Sequence, residues 1–200
     1  MPRGRFFVLD GIDGVGKTTQ LQLLAKALRK RGRRLLVVRD PGDTPLGKKL
    51  RTLLLGHKGR MCPRTEALLY AASRAQLVAE RIRPALAKGI IVLSDRYSTA
   101  TLAYQGALGL SEGLAEACRF AEDGVRPDLT IILDCPPRQA AKRRSGRKAD
   151  RLEARGLAYQ AAVRGGFLVQ ARRDRNIRVV SALGTPAEVH ARILKALGIR

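Results

Sequence analysis

The residues best suited to chemistry lie together in Gly11-Ile12-Asp13-Gly14-Val15-Gly16-Lys17-Thr18. The run fits G-x-x-x-x-G-K-[ST] without a mismatch, the pattern of a loop that binds nucleotide phosphates. Its three glycines let the chain curl so that successive backbone N–H groups point into one concavity. Lys17 is the group that bridges β- and γ-phosphates, and the Thr18 hydroxyl is the group that holds Mg²⁺. A second set follows an apolar run ending at Ser94. Asp95 stands where a strand-end carboxylate reaches the magnesium shell, although such an Asp also serves as a helix cap. Arg96 is a permanently charged fork suited to phosphate. Tyr70 and Arg74 are four residues apart and share one helix face, a flat stacking surface beside a donor-only fork. The plainer alternative is an aromatic core residue next to a solvated arginine.

These residues need elements to hold them. Phe6 to Leu9 is a short apolar run, the mark of a strand buried on both faces, and it runs straight into the glycine loop. Thr19 to Arg31 reads as a helix with Leu21, Leu24, Ala25 and Leu28 on one side, so its N-terminus aims partial positive charge at bound phosphate. Further strands are expected over 34–39, 90–94, 129–133 and 177–180. Helices are expected over 45–55, 64–87 with an interruption near Pro84, 98–106, 114–122, 137–144, 152–173 and 186–197. Leu46, Leu50, Leu53 and Leu54 share one side of the helix over 45–55, and Leu68, Leu69, Ala72, Leu77 and Ile82 are the expected core residues of that over 64–87. Strands alternating with helices predict an α/β, three-layer P-loop fold: a five-stranded parallel sheet covered by helices on both faces. The chain has no linker or repeat, so one domain over 1–200 is expected, with a basic lid at about 143–151. The polar clusters at 10–13, 39–40 and 95–96 fall at the carboxyl ends of strands, where open parallel sheets bind ligands.

Composition narrows the class. No run approaches the about eighteen apolar residues that span a bilayer, and the first strand begins too early for a signal peptide. Cys62, Cys118 and Cys135 are widely spaced and odd in number, and they read as free thiols of a reducing cytoplasm. His57 and His190 make a poor zinc pair. The net charge of +22 invites a nucleic-acid reading. However, the 29 Arg and 10 Lys are dispersed from Arg3 to Arg200, and no nucleic-acid-binding motif accompanies them. A nucleic-acid partner is therefore not expected, nor is a membrane.

The chain resembles the bacterial thymidylate kinases, a family of P-loop nucleoside monophosphate kinases. The segments that carry the resemblance are GIDGVGKTTQ, RDPGDTPLGKKLRTLLL, ALLYAASRAQ, DRYSTATLAYQG, RPDLTIILD and DRLE. It implies transfer of a phosphoryl group from Mg-ATP to dTMP, in dTTP biosynthesis, by a cytoplasmic homodimer. It also implies roles by position. Asp13 holds the acceptor sugar's 3′-hydroxyl, and Arg39 stands at the acceptor phosphate. Tyr70 stacks on thymine, Arg74 bonds the base edge, Arg96 clamps phosphate, and Tyr104 and Gln105 lie beside sugar and base. Gly14 stands where some relatives carry an arginine, which moves the transition-state cation to the lid: Arg147 and Arg151, with Arg143 and Arg144 behind them. Asp10 departs from the family's usual Glu, and Asp43 places a carboxylate near the expected acceptor phosphate. Two other readings of the residues stay open. A deoxynucleoside kinase would need a base, for which Asp10 or Asp40 is available, and a basic P-loop ATPase would act on nucleic acid.

Overall fold

The computed structural model describes residues 4–144 and 151–199. β1 (Phe6–Asp10) is wholly buried and lies at the centre of a five-stranded parallel sheet. Successive side chains of a strand point to opposite faces. Phe7 and Leu9 accordingly enter one core with Leu21, Leu24, Leu28, Phe167 and Ile193, while Phe6 and Val8 enter another with Val38, Leu77, Ile82 and Val92. The remaining strands are β2 (Leu35–Arg39), β3 (Ile91–Asp95), β4 (Leu129–Asp134) and β5 (Ile177–Ser181), in the order β2-β3-β1-β4-β5. This is the α/β class expected from the alternation of elements. The order reverses at β1, which pairs with β3 on one side and β4 on the other, and ligands bind at such a switch point. Register brings Leu9, Asp95 and Arg39 to one level at the carboxyl edge.

The helices are α1 (Lys17–Lys30), α2 (Pro45–Gly56), α3 (Pro63–Leu77), α4 (Arg83–Ala87), α5 (Ser98–Gly106), α6 (Leu114–Glu122), α7 (Pro137–Arg143), α8 (Gly156–Arg173) and α9 (Pro186–Leu197). Local chemistry sets their ends. Thr44 caps α2 by accepting from the Gly47 N–H, with Pro45 in the first turn. Thr185 and Glu188 form a reciprocal capping box on α9. α1 has no side-chain cap, and Gly16, at φ 96°, leads into it with its first N–H groups left for a ligand.

Three expectations change. α1 begins at Lys17, two residues early, because the glycine loop turns directly into the helix. The predicted helix over 64–87 is three pieces: α3, a π-turn over Val78–Ile82, and α4. Proline lacks an N–H, and the ladder shifts just before Pro84, with the Arg83 N–H reaching the Val78 carbonyl. The predicted helix over 152–173 starts as a 3₁₀ turn, Glu153–Arg155, and only becomes α-helical at Gly156, whose φ of 87° breaks the run.

The inward faces of α2 and α3 also differ from the hydrophobic reading. Leu46, Leu53, Leu68 and Ala72 are exposed. α3 instead buries Glu66, Ala67, Tyr70, Ser73, Arg74 and Leu77, and α2 buries Gly47 and Leu54 with Arg51 half-buried between them. Periodicity located the helices, but these two present a polar stripe to the site and leave leucines outside.

Candidate active site

The glycine loop forms the floor of an open cavity of about 540 Å³, lined by Asp13, Gly14, Val15, Gly16, Lys17 and Thr18 together with Arg39, Asp95, Arg96, Arg143 and Arg144. Gly11 and Ile12 stand behind it: their carbonyls accept from Lys17 Nζ at 3.0 and 2.9 Å. Lys17 is thus folded back on its own loop and only 7 % exposed. Gly14, at φ 88°, has a structural reason to be glycine. A Cβ there would lie 2.3 Å from the Ala140 carbonyl oxygen and 2.9 Å from Arg144 Cγ. The end of α7 therefore rests on the loop where an arginine side chain at position 14 would have to leave.

Arg96 organises the next layer. Its backbone is left-handed, φ 72°, a conformation that costs a non-glycine residue about 1–3 kcal/mol. It is held by an N–H bond to the Leu9 carbonyl and by the Ser94 hydroxyl on its own carbonyl. The guanidinium then reaches Asp10 (3.0 Å), the Gly11 carbonyl (3.0 Å), Asp13 (2.6 Å) and the Tyr104 hydroxyl (3.1 Å). The Tyr104 hydroxyl donates to Asp13 at 2.8 Å. Burial works to raise the Asp13 carboxyl, but the charges of Arg96 and Lys17 outweigh it and hold the group well below its ordinary value, hence ionised. Asp10 is fully buried, accepts from Gly11 N–H, Arg96 and Thr99, and lines neither this cavity nor the one beside it.

That neighbouring cavity is a narrower cleft of about 60 Å³ walled by Tyr70, Arg74, Tyr104, Gln105, Ala100 and Leu152. The two cavities share Asp13, Asp40, Arg51 and Arg96. Arg74 is 1 % exposed and heavily engaged: Nε donates to Asp40 at 2.6 Å, and Nη2 to the Thr101 hydroxyl at 2.8 Å. Burial would lower its pKa, but Asp40 pulls it above the ordinary arginine value.

The carboxylate expected for magnesium fits that use. Asp95 Oδ2 is 3.6 Å from Arg39 Nε, while its Oδ1 is buried with no hydrogen-bond partner among the described residues. Thr18 lines the same cavity. Among the described residues there is no cluster of three or more acidic, His or Cys ligands. A single carboxylate with a hydroxyl suits an ion that keeps water and phosphate ligands.

The pattern of the thymidylate kinases matches residues 9–193. The chain belongs to the thymidylate kinase family. It is 48 % identical to a thymidylate kinase of Caldanaerobacter subterraneus over 83 % of this chain and 81 % of that one. Identity is 48 % to a thymidylate kinase of a Synechococcus species over 96 % and 94 % of the two chains, and 45 % to that of Carboxydothermus hydrogenoformans over 94 % and 93 %. Members of the thymidylate kinase family are nucleoside monophosphate kinases, phosphotransferases, and no helix among the described residues is long and apolar enough to cross a membrane.

Within this thymidylate kinase fold most of the expected site residues converge. Asp13, Lys17, Thr18, Arg39, Asp95 and Arg96 face the larger cavity, and Tyr70, Arg74, Tyr104 and Gln105 face the cleft. Arg151 Nη2 pairs with buried Glu66 and its Nε donates to the Leu54 carbonyl, and it is not among the residues lining the larger cavity. Arg143 and Arg144 take that position. Arg147 lies outside the described residues. Asp43 accepts from the Arg39 backbone N–H at 3.2 Å, closing the turn after β2, and lines neither of these two cavities.

Two residues escaped the sequence reading. Arg51 lines both cavities and donates to the Pro41 carbonyl at 3.0 Å. The available signal was a basic residue on the stripe between Gly47 and Leu54. Glu66 is 0 % exposed and accepts from Gln105, Arg151 and Arg155. Four residues before Tyr70, it carries a charge on the same helix face.

Proposed function

We propose that this chain transfers the γ-phosphoryl group of Mg-ATP to the 5′-phosphate of dTMP, giving ADP and dTDP. The observation that carries the reading is the shared wall of Asp13, Asp40, Arg51 and Arg96 between an open phosphate cavity and a cleft with an aromatic side. Two nucleotides bound in these two spaces meet phosphate to phosphate.

A phosphate monoester has its second pKa near ~6, so the acceptor is largely dianionic at neutral pH and needs no general base. The obstacle is bringing two anions into line, which makes catalysis a matter of positioning and charge neutralisation. Lys17 exchanges the Gly11 and Ile12 carbonyls for donor phosphate oxygens. Arg39, Arg51 and Arg96 orient the acceptor phosphate. Tyr70 offers its ring to the base, and Asp13, ionised, accepts from the sugar's 3′-hydroxyl. Tyr104 stands where a 2′-hydroxyl would crowd it. Thr18 and Asp95 would hold the magnesium ion, which would supply positive charge to the phosphates. Arg143 and Arg144, with Arg147 of the lid, supply the cation that position 14 lacks.

The protein functions as one domain in the cytoplasm, a location supported by buried, unpaired Cys118 and Cys135 thiols. It pairs with a second copy through α2, α3 and α6, where Leu53, Leu68 and Phe120 are exposed, Phe120 at 89 %. A coupled ADP-release assay over dTMP, dUMP, dCMP, UMP and thymidine tests the acceptor. The expected order is dTMP, then dUMP, with dCMP and UMP poor and thymidine unused. Equal use of dCMP, or turnover of thymidine, overturns the assignment.

A further inference from the structure

We infer that Glu66 sets base selectivity without touching the substrate, by fixing which end of the Gln105 amide faces the acceptor cleft. The inference rests on the dTMP reading above.

Gln105 is completely buried and lines the cleft. An amide side chain has a donor end and an acceptor end of nearly equal size, so its meaning to a ligand depends on which way it is turned. Its neighbour decides this. Glu66, on α3, is also completely buried, and an ionised carboxylate can only accept. Its Oε1 lies 2.7 Å from Gln105 Nε2, so the nitrogen must face Glu66. Gln105 Oε1 is then left buried with no hydrogen-bond partner among the described residues. A buried acceptor in that state has lost water and gained nothing, which a donor on the ligand would repair. Two guanidiniums balance the Glu66 charge: Arg151 and Arg155 both donate to its Oε2, the latter at 3.1 Å. Both oxygens of the enclosed carboxylate are thus engaged as acceptors, Oε1 by Gln105 and Oε2 by the two guanidiniums.

The cleft thus presents a fixed acceptor, and the matching base edge carries an N–H. Thymine and uracil have an N3–H donor; the N3 of cytosine is a lone pair facing an oxygen, with nothing to share. Arg74 does not make this choice alone, since Asp40 and Thr101 already take its Nε and Nη2. Glu66 is in these terms a positioning residue: the discrimination passes through Gln105.

The test uses the full chain with saturating Mg-ATP and steady-state kinetics for dTMP and dCMP. Glu66→Gln replaces an acceptor-only group with one that also donates, so the Gln105 amide can turn its nitrogen into the cleft. The ratio of kcat/KM for dTMP over dCMP is expected to fall about tenfold or more, as for loss of one buried hydrogen bond. The change should lie in the acceptor KM, with the KM for ATP unmoved. Gln105→Leu keeps Glu66 and its arginines in place and should narrow the ratio to a similar extent. Adding Glu66→Gln to Gln105→Leu should then narrow it no further, because the two act as one unit. Should Glu66→Gln not fold, a Gln105→Leu variant that keeps the wild-type ratio still overturns the inference. A ratio that stays at the wild-type value in either single variant, with both substrates declining in parallel, overturns the inference while leaving the dTMP reading intact. Wild-type enzyme that uses dCMP as well as dTMP overturns both.

Discussion

Arg74→Ala is expected to damage the fold before it informs on selectivity. The sequence reading gives Arg74 the base edge, so its removal would simply narrow the gap between dTMP and dCMP. In the structure its guanidinium is 1 % exposed and paired with Asp40, itself 2 % exposed, at 2.6 Å. Removing one partner of a buried ion pair strands the other charge and typically costs about 3–5 kcal/mol. For a chain of this length each kcal/mol lowers Tm by about 2–4 °C, so a fall of roughly 6–20 °C is expected. Thermal melts followed by far-UV circular dichroism, with urea titrations beside them, measure it. Asp40→Asn should lose a similar amount, because Arg74 is then the stranded charge. The double change Arg74→Met with Asp40→Asn should recover much of the loss, since uncharged groups of similar volume suit a dry site. A Tm for Arg74→Ala within about 2 °C of wild type would refute this reasoning, because even 1 kcal/mol should be visible on that scale.

Other outcomes follow from the same contacts. Arg51→Ala should raise the KM for dTMP about tenfold or more with little change for ATP, as expected for loss of a charge-assisted hydrogen bond; an unchanged dTMP KM counts against its place at the acceptor phosphate. Asp13 has a depressed folded-state carboxyl, so its stabilisation is complete above the unfolded value of 3.8 and is lost as pH falls through the folded value. Asp13→Asn should therefore show a shallower loss of urea stability on acidification below about pH 4 than wild type, and equal slopes would remove Asp13 from the account. Phe120→Asp with Leu68→Asp should convert a dimer to monomers in sedimentation velocity without changing the melting of the monomer; a species of unchanged mass rejects that face.

Much of the architecture was legible because hydrophobic runs and turn chemistry report the backbone directly. The glycine loop gave both its conformation and its chemistry, since the same N–H groups that require glycine also bind phosphate. Where the reading failed, the cause was a helix with two kinds of inner face. α3 carries Glu66, Tyr70 and Arg74 inward and Leu68 outward, the reverse of what a hydrophobic stripe implies. A buried charge is tolerated there only because partners come from far along the chain: Asp40 for Arg74, Arg151 and Arg155 for Glu66. Those pairings are tertiary, and nothing local in the sequence announces them. The pairing of Arg151 with Glu66 was not legible for the same reason, as a basic residue looks alike in sequence whether it faces phosphate or a buried glutamate.

The central claim is that the two cavities hold a donor and an acceptor nucleotide that exchange one phosphoryl group. Incubation with γ-labelled ATP and dTMP, followed by separation of the products, tests it most directly. The account predicts label in dTDP, formed one-for-one with ADP, and little inorganic phosphate while dTMP is present. Lys17→Ala should reduce label in dTDP by about 10²–10³, the usual loss for one preorganised charge. Label released mainly as inorganic phosphate, or appearing in dTMP when thymidine is offered, would contradict it.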